Sequence, residues 1–80
     1  MPDLALELAH LALTERHIVD AELCVSRQRM LVARMRGVGG ACPERVVLAR
    51  FEETLAAFNR HRRMILDSID ALTRPPSSST

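Results

Sequence analysis

Two apolar series with a seven-residue repeat, separated by a glycine-rich break, constrain this chain more than any other feature. The first runs Leu4, Leu11, Ile18, Val25, Val32, and the second runs Phe51, Phe58, Ile65, Leu72. Ala21 and Met35 fall beside the first series, with Gln28 between them. Leu48, Leu55 and Ile69 fall beside the second. A seven-residue repeat with a flanking column is the pattern of a packed helix. The period-two alternation of a half-buried strand is absent.

The punctuation agrees with that reading. Gly37-Val38-Gly39-Gly40-Ala41-Cys42-Pro43 forms a break. Gly37 suits the left-handed cap of a helix, and Arg34 and Arg36 favour its negative end. Pro43 suits a first helical position, with Glu44 at the positive end. The expected architecture is all-α: a helix over 3–36, a turn over 37–43, a helix over 43–73, and a disordered polar tail over 74–80. So short a link makes the helices antiparallel neighbours, a coiled-coil-like hairpin. Residue i then lies roughly opposite 80 − i.

Charge order supports the hairpin. Residues 3–22 carry five acids and one Arg, and residues 23–50 carry six Arg and one Glu. Folding back sets Glu15, Asp20 and Glu22 near Arg60, Arg62 and Arg63. It also sets Arg27 and Arg29 near Glu52 and Glu53. Each exposed pair contributes only about 0–1 kcal/mol, so these charges select register more than they add stability.

A hairpin has one seam, and a chain of 80 residues with two Phe and no Trp or Tyr has little with which to fill it. Below roughly 70–80 residues one core seldom supplies more than about 3–5 kcal/mol. Yet apolar residues are left over. Leu4 to Leu13 is apolar almost all round, relieved by Glu7 and His10, and Leu23, Met30, Val47 and Met64 lie off the seam. A helix apolar on several sides is buried on several sides. The expectation is a homodimer of hairpins forming a four-helix bundle, with Ala5, Ala9 and Ala12 permitting close approach. An unidentified protein partner covering the same stripe is the rival.

Several residues invite a chemical reading. Arg27, Arg34, Arg36 and Arg45 gather towards the turn end and would suit an interaction surface, including one for phosphates. Gln28 and Arg62 interrupt the apolar series. Arg62 is expected to pair with Glu15 or Glu22, and Gln28 to satisfy its amide across the seam, the two together setting register or oligomeric state. His17 and His61 come close under the 80 − i estimate, with Glu15 and Glu22 nearby, and Glu7-x-x-His10 matches a unit found in metal-binding helical bundles. These are candidate metal ligands against the simpler reading of edge-of-core histidines. Cys24 reads as a small buried hydrophobe. Cys42, before Pro43, reads as a turn residue whose thiol lies at a helix start.

Other classes of function lack support. The glycine run has no following Lys-Ser/Thr and is no phosphate loop. No nucleophile-base-acid set fits a two-helix scaffold, so the chain reads as non-enzymatic, and nothing calls for a cofactor. A net charge of +1 and no exposed aromatic residue for stacking make nucleic acid an alternative partner and not the first. Two widely spaced Cys imply free thiols and a reducing compartment. No run approaches the roughly 20 apolar residues of a membrane span, and the N-terminus lacks a signal-peptide pattern, so a cytoplasmic setting is expected.

Glu15-Arg16-His17-Ile18-Val19, Arg27-Gln28-Arg29, Phe51-Glu52-Glu53-Thr54-Leu55 and His61-Arg62 together resemble a group of small proteobacterial proteins in which two long helices are joined by a short turn. The likeness spans about residues 14–66. It implies a bacterial helical hairpin and no particular activity, and Ala41-Cys42-Pro43 stands where that group has a polar Asp-Thr-like cap. In architecture alone the pattern is also similar to the repressor-of-primer hairpin, which dimerises and binds RNA. The chain thus reads first as a protein-interaction or regulatory helical module, then as a nucleic-acid-binding hairpin dimer, and third as a metal-binding bundle.

Overall fold

A computed structural model describes residues 3–35 and 43–75. They form two helices packed against each other, α1 (Leu4–Arg34) and α2 (Pro43–Thr73), and no strand occurs among the described residues. Salt bridges Arg29–Glu52 and Arg62–Glu15 link late α1 to early α2 and early α1 to late α2, which makes the pair antiparallel.

Local chemistry explains the helix ends. Asp3 is extended (φ −110°, ψ 131°), and its carboxylate accepts from the Ala5 N–H at 3.4 Å while its carbonyl accepts from Glu7 N–H at 2.9 Å. That satisfies donors which a helix start leaves unpaired. α1 closes at Arg34, two residues before the expected end. Met35 leaves helical geometry (φ −93°, ψ 13°) and donates to Val32 O at 3.1 Å, a tightened last turn. Arg36, Gly37 and Cys42, with the proposed turn, lie outside the described residues. At the far end Thr73 Oγ1 donates to Ile69 O at 2.8 Å, Arg74 N–H to Asp70 O at 2.9 Å, and the Arg74 guanidinium to the Asp70 carboxylate.

The core is a shallow strip. Thr14, Ile18, Ala21 and Val25 of α1 and Ile65 of α2 are buried, flanked by half-buried Leu11, Leu48, Phe51, Leu55, Phe58 and Ile69. Thr14 extends the column Ala21, Gln28, Met35 backwards by seven and is 5% exposed. Among the described residues no side chain is fully withdrawn from water. A single layer of two rods covers each helix on one side only. Among the described residues no helix is long and apolar enough to cross a membrane.

Candidate functional site: the two flanks of the helical seam

Each helix turns one stripe into the seam, and the columns beside that stripe become the flanks of the hairpin. One flank is charged. Glu15, Glu22 and Arg29 recur at intervals of seven on α1, and Glu52 and Arg62 of α2 reach this row. Arg29 Nη2 donates to Glu52 Oε2 at 3.0 Å, and Arg62 Nε donates to Glu15 Oε2 at 3.4 Å. All four side chains are 41–63% exposed, so the pairs orient the helices and contribute little energy. Arg62 thus reaches from the apolar stripe to Glu15, as its position in the series suggests.

Gln28 is half-buried in the seam, and its Nε2 donates to the Glu44 carbonyl at 2.9 Å. That bond ties the first turn of α2 to the last third of α1. No buried side-chain polar atom among the described residues lacks a partner.

The opposite flank has a different character. His10, His17, Cys24 and Leu31 recur at intervals of seven along α1, and Val47, Thr54, His61 and Ser68 recur at the same interval along α2. Two grooves open between these rows. One, of about 290 Å³, is lined by His17, Asp20, Ala21, Cys24, Phe51, Thr54 and Phe58. The small Ala21 side chain leaves this space, and the His17 ring tilts against Phe58 with centroids 5.3 Å apart. The second, of about 190 Å³, lies nearer the free helix ends between Glu7, His10, His61, Met64, Ile65 and Ser68.

This arrangement separates the expected metal ligands. His17 lies level with Phe58, so His61 is three residues, about 4.5 Å, further along α2. His17 and His61 line different grooves, while Glu15 is on the other flank with Arg62 and Glu22 shares its row. Among the described residues no three His, Cys, Asp or Glu side chains converge to hold a metal ion. The cross-helix partners centre the fold near roughly residue 38 instead of 40, so His17 stands level with Phe58, before His61, where the expected register set it just after. Cys24 also departs from expectation. It is a free thiol and exposed at a groove, because its row lies beside the seam and not in it.

Arg27, Arg34 and Arg45 are exposed towards the turn end together with Arg50, and none of the four makes an ion pair within the described residues. Arg29, Arg62, Arg63 and Arg74 do. The basic end is therefore the least neutralised part of the hairpin. Compared with protein-family models, curated proteins and solved structures, the chain gives no match.

Proposed function

We propose that this protein is a non-enzymatic helical interaction module whose working form is a self-associated pair of hairpins, a four-helix bundle, in a cytoplasmic setting. One observation carries the reading. Twelve large apolar side chains among the described residues stand at least a third exposed, while only Ile18, Val25 and Ile65 of comparable type are buried. Leaving Val19, Leu23, Met30 and Met64 in water forgoes burial worth about 1.5–3 kcal/mol for each side chain fully covered. A second hairpin offers cover of matching length and curvature.

Sedimentation equilibrium of the untagged chain at micromolar concentration tests this. A mass of twice 8.9 kDa supports it. A single-chain mass, with a cooperative melt that does not depend on concentration, refutes it.

The unneutralised arginines favour one second reading, a hairpin dimer that binds nucleic-acid phosphates at its turn end. Binding of a labelled RNA duplex that weakens steeply with salt, and is lost on Arg34→Ala with Arg45→Ala, supports that reading. Salt-independent binding, or none, counts against it.

A further inference from the structure

The proposed self-association leaves open which face is covered. Three of the side chains that motivate it, Val19, Leu23 and Met30, stand on the back of α1, away from α2. They belong to a second series at helical spacing. It steps alternately by three and four residues through Arg16, Val19, Leu23, Ser26, Met30 and Ala33, all exposed in the single hairpin. That is the spacing of a seam between two helices, and Arg16 is its only charged member. The back of α2 has no such stripe, since Arg50, Glu53, Arg60, Arg63 and Asp67 spread across it.

Charge order along α1 says what fits this stripe. Between Glu15 and Arg34 the helix carries three acids followed by three arginines, Arg16 apart. Turned end for end about the point between Cys24 and Val25, the segment matches itself with opposite sign. Glu15 falls level with Arg34, Asp20 with Arg29 and Glu22 with Arg27. The same turn sets Val19 against Met30 and Leu23 against Ser26, so a bulky side chain meets a flexible or a small one. The charges flank the stripe in two columns, Asp20 with Arg27 on one side and Glu22 with Arg29 on the other. In an antiparallel pair Asp20 and Glu22 each stand within two residues, about 3 Å along the axis, of the other copy's arginine in the same column. Arg16 falls level with Ala33, in the last turn of the other α1, where unpaired carbonyls carry partial negative charge. A hollow of about 330 Å³ between Ala12, Leu13 and Arg16 opens where that helix end arrives.

The charges of α2 do not oppose this pairing. α2 lies on the far side of α1, so its axis is about 16–20 Å from the second α1, against a screening length of about 8 Å at physiological salt. Of the arginines towards the free ends, Arg62 is held by Glu15, Arg63 by Asp67 and Arg74 by Asp70, and Arg60 is on the back of α2.

We propose that a second copy of this chain docks antiparallel along the back of α1, over residues 15–34, with the two α1 helices at the centre of the pair and the α2 helices outside. This rests on the self-association reading and names its surface and register. Leu23→Arg puts a charge in the middle of the stripe, at a position 48% exposed in the single hairpin. It is expected to weaken self-association by roughly 100-fold in sedimentation equilibrium of the full chain. Met64→Arg, on α2 and 67% exposed, is expected to leave it unchanged.

Register has its own readout. Asp20→Arg and Arg27→Asp, both at exposed positions, are each expected to weaken association by about tenfold, and the double variant to recover it. A parallel pair would set Asp20 near Glu15 of the other copy, and Asp20→Arg would tighten it instead. If Leu23→Arg also loses its helical circular dichroism, the charge exchange at these exposed positions decides. A dimer that survives Leu23→Arg, or that Met64→Arg breaks, overturns the assigned face while self-association stands. Single exchanges without loss, or a double variant without recovery, overturn the antiparallel register. A monomeric wild-type chain overturns the self-association reading itself.

Discussion

At the scale of residues, exposure ranks the effects of substitution better than hydrophobicity does. Ile65 is 4% exposed and Val19 is 63% exposed, though both are β-branched and helical. Ile65→Ala is expected to cost about 2–5 kcal/mol, much of what a core this size supplies. In the single hairpin Val19→Ala should stay within about 0.5 kcal/mol. Urea melts monitored by circular dichroism would check both, and equal losses would contradict the burial pattern.

Gln28 tests a different balance. Gln28→Leu removes one half-buried hydrogen bond, worth about 0.5–1.5 kcal/mol, and adds apolar burial worth about 1.5–3 kcal/mol. The melting temperature should therefore rise, by roughly 4–8 °C for each kcal/mol gained. A large fall would show that the amide tether to Glu44 dominates the packing of that end. Glu15 and Arg62, by contrast, should couple by less than about 1 kcal/mol in a double-mutant cycle, and by less again in high salt.

At the scale of elements, the two helices are unequal. α2 is amphipathic in the ordinary way, with Leu48, Phe51, Leu55, Phe58 and Ile65 inward and arginines and acids outward. α1 has an apolar seam and an apolar back, so it depends more on what surrounds it. Its N-terminal turn is loosely held. The Asp3–Ala5 bond is long at 3.4 Å, and Leu4, Leu6 and Leu8 are exposed. Asp3→Ala should cost about 0.5 kcal/mol, the low end for an N-cap, and show as faster amide exchange confined to the first turns of α1. Uniformly faster exchange along α1 would mean that the cap matters to the whole element.

At the scale of the molecule, stability and assembly are one question. If two hairpins share a core, the melting temperature rises with concentration, and the substitutions that lower it include residues exposed in the single hairpin. If the melt is independent of concentration, the strip from Thr14 to Val25 must hold the fold alone.

Helix identity was legible in the residues because a repeat of seven is local: each side chain's direction follows from its own position along a rod. The Arg29–Glu52 and Glu15–Arg62 pairs were legible because long side chains tolerate a few residues of slip. The proposed meeting of His17 and His61 was not, since for short side chains an axial offset of about three residues is enough to set them in different grooves. Thr14 was overlooked because its type suggests solvent, although its column leads into the seam. What periodicity could determine was two rods and the stripe each must bury. What tertiary packing alone decided was how far one rod slides along the other, and so which flank is bridged by charge and which stays open. That slide comes from the fit of whole columns of side chains, a sum over both helices that no single segment encodes.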